Sequence, residues 1–245
     1  MKPYLLLSTR DDDALALDEL RGVVELSGLT PEQVVQWRLE ADPFPEVLDD
    51  AWLRQYSGVI LGGSPFTSTD HDRSDVQIRV EADLERLLEL VLGLDSPFLG
   101  LCYGVGMLGR VAGGLVDRSY PEPVGVTTVR VTDHGAVDPL LAGLPSTFGA
   151  FVGHKEATTR LPAEATLLAV SGPAPVQMYR IGTNVYATQF HPELDAEGLI
   201  KRIEAYKHHG YFEPSEATDL IRVAREADVS HARKVLRNFV TRYAR

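Results

Sequence analysis

The chain's only cysteine, Cys102, lies in SPFLGLCYGVGMLG (residues 96–109), between glycines at the end of an apolar run. A strand running into Gly-x-Cys-x-Gly and then a helix is the nucleophile-elbow pattern. Gly100 and Gly104 let the backbone turn sharply and let the new helix pack close to the strand. Such a turn lifts the thiol above the sheet edge, and the positive end of the helix favours the thiolate, which is the reactive form. The amide of Tyr103 would then aim at the oxygen of a tetrahedral intermediate, a donor worth about 3–4 kcal/mol. A lone cysteine in other settings is a small buried hydrophobe. The flanking glycines after a strand favour the nucleophile.

A thiolate that transfers acyl groups needs a base able to protonate the leaving group. The candidates are His71, His134, His154, His191, His208, His209 and His231. His191 ends the apolar run NVYATQF and precedes Pro192 and Glu193. The proline stops the strand, placing His191 at a strand end, where open α/β sheets carry their functional groups. Glu193 can fold back to hold the imidazole in one tautomer. Alone, His-Pro-Glu reads equally as a strand-ending turn; beside a cysteine elbow it reads as the rest of a triad. His134 and the His208–His209 pair have no ligand partners at useful spacing and read as surface or turn residues. No metal site or cofactor is expected.

These groups need a scaffold that brings residues 102 and 191 together. YLLLST (4–9), VVQWRLE (34–40), GVILGG (58–63) and PFLGL (97–101) read as short buried strands. Between them, 13–28, 47–56 and 74–94 carry helical spacing, the last capped by Ser74 or Asp75, and 104–114 follows as a helix. Short apolar strands separated by helices indicate βαβ units and a parallel sheet covered on both faces. After Gly114 the texture changes: 124–131, 165–171, 175–182 and 184–190 read as antiparallel or mixed strands, with a hairpin turn at Gly182. From Asp195 the chain is helical again, interrupted near 208–216. The expected fold is therefore α/β, an open, mainly parallel, flavodoxin- or Rossmann-like sheet flanked by helices. Extra antiparallel strands occupy the second half. Residues 1–245 read as one domain, with a C-terminal helical extension from about 212 to 245.

A length of 245 residues with 44% hydrophobic content suits one substantial core. One cysteine excludes an internal disulfide framework and a multi-thiolate metal site. A net charge of −11 argues against a broad nucleic-acid surface. The basic stretch HARKVLRNFVTRYAR reads as a solvated helix face. The N-terminal apolar run is too short for a signal segment or membrane span, so a cytoplasmic setting without membrane contact is expected.

GLCYG (100–104) with QFHPE (189–193) resembles the class I (triad) glutamine amidotransferases, specifically free-standing members similar to the amidotransferase domain of GMP synthetase. The resemblance runs from about Leu5 to Glu193, with LGGSPFTSTD (61–70) in the place of the family's oxyanion loop. It implies that Cys102 attacks a glutamine side-chain amide, that His191 is the acid/base, and that Glu193 orients it. It makes the amides of Gly63 and Tyr103 the oxyanion donors, and implies no cofactor.

The departures from the family pattern gather on substrate binding. The family's substrate-contacting glutamine after the elbow is Gly106 here, and its Ser/Asn-His-Gly stretch is Gly153-His154-Lys155-Glu156. The oxyanion loop reads Gly-Gly-Ser-Pro, and Pro65 has no amide hydrogen. Gly62, Gly106, Gly153, His154 and Lys155 are the substrate-binding candidates. His154 also reads as a satisfied structural histidine, and Lys155 as either a carboxylate partner or a solvent-facing side chain. The small-molecule substrate is thus glutamine held by other groups, or another γ-glutamyl amide. With no phosphate-loop motif in the chain, any ammonia-using step belongs to a separate synthetase subunit. The alternative is a catalytically altered relative serving as a binding or regulatory subunit. A small stress-response protease or chaperone family shares the elbow but lacks the His-Pro-Glu ending.

Overall fold

The computed structural model describes residues 1–207 and 212–245, so His208 and His209 lie outside the described residues. The first half alternates strictly: β1 (Tyr4–Ser8), α1 (Asp13–Ser27), β2 (Val34–Arg38), α2 (Asp50–Leu53), β3 (Val59–Leu61), α3 (Asp75–Leu94), β4 (Phe98–Leu101) and α4 (Tyr103–Val111). Then come β5 (Leu115–Asp117), β6 (Glu122–Val131), α5 (Asp133–Ala136), β7 (Thr147–His154), β8 (Ala157–Arg160), β9 (Ala165–Val170), β10 (Met178–Ile181) and β11 (Val185–Thr188). Helices α6 (Ala196–Tyr206), α7 (Ala217–Glu226) and α8 (Arg233–Tyr243) complete the described chain.

The main sheet has the order β2-β1-β3-β4-β11-β10-β9-β6-β7. From β2 through β11 the neighbours are parallel; β10, β9, β6 and β7 extend the sheet by antiparallel pairing. β5 and β8 form a separate antiparallel pair. Successive side chains of β1 enter opposite cores, as the period of a strand requires. Tyr4 and Leu6 pack with Val235, Leu236 and Phe239 of α8; Leu5 and Leu7 pack with Val80, Leu84 and Leu88 of α3. Each such fully buried side chain contributes about 1.5–3 kcal/mol. The basic C-terminal helix α8 thus has an apolar face inside the main core, and the Tyr4 hydroxyl donates to its Val240 carbonyl at 2.7 Å.

Helix ends follow local chemistry. Asp12 accepts from the Leu15 amide at the start of α1, which stops at Gly28 with φ 84°. Ser74 caps α3 through the Gln77 amide. The second helical run is shorter than its periodicity suggests: Asp49 takes the Trp52 amide, so helix begins only at Asp50. Gly182 does form the β10–β11 turn, with φ 58° and Asp95 packed where a side chain would stand. Strand β7 is not evident in the sequence, because Gly149 and Gly153 interrupt its apolar pattern. No helix among the described residues is long and apolar enough to cross a membrane.

Candidate active site

Cys102 and His191 leave the C-terminal ends of adjacent parallel strands. β4 pairs with β11 in the register Leu101↔Thr188, and the Cys102 amide donates to the Thr188 carbonyl at 2.8 Å. The chain turns abruptly at Cys102, which takes φ 51° and ψ −90° as the residue before α4. Only Asp95 among the other described non-glycine residues has a positive φ. The turn depends on Gly100, where a Cβ would lie 2.9 Å from the Gly104 carbonyl carbon and oxygen. Strand and helix therefore approach more closely than any other residue permits.

His191 is held by its backbone as well as its ring. Its amide donates to Phe151 of β7, and Nδ1 lies 2.7 Å from Glu193 Oε1. Burial works against a charged imidazole, but Glu193 and the adjacent Cys102 outweigh it and raise the His191 pKa to about 9. Burial likewise pushes Glu193 up, yet His191 and Arg202 bring it down to about 2. Arg202 of α6 reaches Glu193 Oε1 at 3.3 Å and Glu19 Oε1 at 3.8 Å. Glu19 in turn accepts from Arg10 Nε at 3.1 Å. A buried chain of alternating charges thus backs the imidazole. A thiol, an imidazole and a carboxylate in this order suit acyl transfer.

Helix α1 also supports this group directly. A Cβ on Gly22 would sit 2.3 Å from the Glu193 carbonyl oxygen. On an open helix face, Gly→Ala gains about 1 kcal/mol of propensity. Here the clash with fixed backbone reverses the sign. Gly22→Ala is expected to destabilise the fold by about 1–3 kcal/mol, read as a lowered melting temperature, with reduced Cys102 reactivity toward alkylating reagents. A melting temperature equal to or above wild type would show that α1 does not rest on that carbonyl.

Gly63 lies against the same centre: its Cβ position is 3.1 Å from His191 Cε1 and 3.9 Å from Cys102 Cβ. Tyr103 is the first residue of α4, so its amide has no acceptor within the helix. Gly62 packs behind, on the Glu19 carboxylate, and its amide is used by Leu7. Gly106, Gly153, His154 and Lys155 line a cleft on one side of Cys102. Both ring nitrogens of His154 are engaged, Nδ1 with the Glu156 carbonyl and Nε2 with Glu122, each at 2.9 Å. His154 therefore fixes the turn between β7 and β8. The Glu156 carboxylate accepts from the Ser68 and Thr69 amides at 3.0 and 2.8 Å, and stands 3.2 Å from the Cβ position of Gly106. The space that a longer residue 106 would take is filled from across the cleft. His134 is exposed on α5, and no group of three or more potential metal ligands forms among the described residues.

The sequence matches the family glutamine amidotransferase class-I over residues 31–204. The chain belongs to the class-I glutamine amidotransferase family. Within that family it is 36% identical over 144 residues to the glutamine-hydrolyzing GMP synthase of Aeropyrum pernix, covering 58% of this chain. It spans only about a quarter of the first GMP synthases it matches, 25% of that protein and 28% of one from Petrotoga mobilis. Gamma-glutamyl peptidase 4 of Arabidopsis thaliana is 28% identical over 253 residues, covering 98% of this chain and 96% of the relative. A crystal structure of a glutamine amidotransferase from Thermotoga maritima shares the fold, with a TM-score of 0.76 at 23% identity over 99% of this chain and 98% of that one.

Several residues of this amidotransferase-family site are not singled out by sequence reasoning. Gln189 sits inside the QFHPE motif, and its Nε2 lies 3.9 Å from Cys102 Sγ. Arg10 follows the end of β1, a strand-end position that could have marked it. Glu156 ends the Gly153-His154-Lys155-Glu156 stretch, but nothing local marks it as a contact. Arg202 carries no local signal; only the tertiary fold brings α6 behind Glu193.

Proposed function

We propose that this chain hydrolyses the side-chain amide of glutamine or a related γ-glutamyl amide through a thioester on Cys102. In this reading the Cys102 thiolate attacks the γ-carbonyl carbon, and the Gly63 and Tyr103 amides stabilise the resulting oxyanion by about 3 kcal/mol each. As the C–N bond breaks, protonated His191 gives its proton to the departing nitrogen. Water, deprotonated by His191, then attacks the thioester, and the C–S bond breaks to yield glutamate and free thiolate. Glu193 holds the imidazole throughout. Gly106, Gly153, His154 and Lys155 line the cleft for the γ-glutamyl group with Glu156 beside them, while Gly62 packs behind on Glu19.

The observation that carries this reading is Cys102 at positive φ on the end of β4, with the His191–Glu193 pair on the end of neighbouring β11. Membership of the family and the end-to-end likeness to a gamma-glutamyl peptidase support hydrolysis by this chain alone. The likeness to GMP synthases supports ammonia delivery to a separate synthetase.

Intact-protein mass spectrometry after incubation with 6-diazo-5-oxo-norleucine tests the site. One adduct is expected on wild type and none on Cys102→Ala. Labelling by a general thiol reagent without that adduct would move the reading to an acyl donor other than glutamine. A Cys102 with no enhanced reactivity toward either reagent would leave only a binding or regulatory role.

A further inference from the structure

Cys102 stands on the ridge between two clefts of different character, both of which it shares with Ser64 and Gly153. One is lined by Tyr103, Lys155, Glu156 and Gln189. The other is lined by His191 and Arg10 and walled by Val124, Leu194, Leu199 and Phe212. His191 borders only this second cleft. In amide cleavage the proton donor must reach the departing nitrogen, so the amine leaves on the His191 side and the acyl group occupies the other. Ammonia is small and strongly hydrated, and has no use for an apolar wall of this extent. An apolar wall beside the departing nitrogen instead suits an apolar group carried on the amine.

Two arginines line the cleft, and Arg202 is engaged with Glu193 and Glu19. Arg10 is buried, its Nε bound to Glu19 at 3.1 Å and its Nη1 to the Tyr206 hydroxyl at 2.6 Å. Its Nη2 lies 3.1 Å from the Cβ position of Gly63, next to the reacting centre, and no described residue accepts a hydrogen bond from it. A guanidinium locked at two nitrogens presents the remaining donors in a fixed direction, the geometry that a carboxylate matches.

We propose that this second cleft is the leaving-amine subsite, and that it takes an amino acid with an apolar side chain whose carboxylate binds Arg10. The inference rests on the thioester reading above and specifies its substrate as a γ-glutamyl-linked apolar amino acid. The products are glutamate and that free amino acid, with one water consumed.

The test is a comparison of kcat/KM on the intact protein for γ-glutamylphenylalanine, γ-glutamylphenethylamide, γ-glutamylglycine and glutamine. The phenethylamide lacks only the carboxylate, and the glycine compound only the apolar group. γ-Glutamylphenylalanine is expected to exceed each of the others by at least about tenfold, the scale of one charge-assisted hydrogen bond. Free phenylalanine should inhibit competitively and phenethylamine only weakly. Arg10→Lys should narrow the ratio between phenylalanine and phenethylamine compounds, and the wild-type comparison stands even if that variant folds poorly. Equal rates for all four, or a preference for glutamine, would overturn the subsite while leaving the thioester intact. Cleavage of none, with no adduct from 6-diazo-5-oxo-norleucine, would overturn both.

Discussion

Cys102→Gly is expected to abolish hydrolysis and at the same time make the protein more stable than Cys102→Ala. Both variants remove the nucleophile, so kcat should fall by at least about 10⁴-fold in each. They differ in the backbone. Residue 102 is held at φ 51°, where a Cβ crowds the main chain and glycine does not. That conformation costs an ordinary residue about 1–3 kcal/mol, and alanine retains the cost. In a chain of this size about 1 kcal/mol corresponds to a shift of roughly 2–4 °C, so thermal denaturation resolves the two variants. Equal melting temperatures would mean that the turn at Cys102 stores no strain.

The second large effect is expected at Glu193. With His191 raised to about 9, its protonated form dominates at neutral pH, and kcat/KM should decline as pH rises through about 9. Glu193→Gln keeps the shape but removes the charge that favours imidazolium. The alkaline limb should then move down toward the ordinary histidine range, and kcat should fall by about 10³-fold or more. Stability follows the same linkage. The His191 contribution is complete below its unfolded value of 6.5 and disappears as pH rises through about 9. The Glu193 contribution is complete above 4.5 and disappears as pH falls through about 2. The stability gap between wild type and Glu193→Gln should therefore be widest between about pH 4.5 and 6.5 and shrink toward pH 9. An unchanged alkaline limb in Glu193→Gln would show that Glu193 does not set the imidazole's charge.

The parts legible in the sequence are those governed by short-range rules. Apolar runs of strand length separated by amphipathic stretches sufficed for β1, α1, β3, α3 and β4, since burial on both faces leaves an unbroken apolar signature. The elbow was legible because its glycines lie within the motif. Residues 147–154 were not legible as a strand, because two glycines that admit close neighbours break the pattern: a Cβ on Gly149 would meet the Asp228 carbonyl at 2.5 Å. Arg10, Glu19 and Arg202 could not be linked by spacing. Their charges come together from the loop after β1, from α1 and from α6 only when the sheet is complete. Glu156 shows the same limit more sharply. The missing side chain at Gly106 looks like a loss until the carboxylate from the opposite turn is seen in that space.

The pairing of β4 with β11 has a consequence for how the molecule comes into being. Until residues 185–188 dock, β4 has a bare edge on the side away from β3, and the Cys102 amide lacks its Thr188 acceptor. The thiol-bearing turn is synthesised long before the imidazole that completes it, and a single non-local docking event both seals the sheet and assembles the reactive pair. Chemical competence is thus a late readout of maturation. Protection of the Cys102 amide from solvent exchange and the onset of thiol reactivity should appear together, as one event, in a refolding chain.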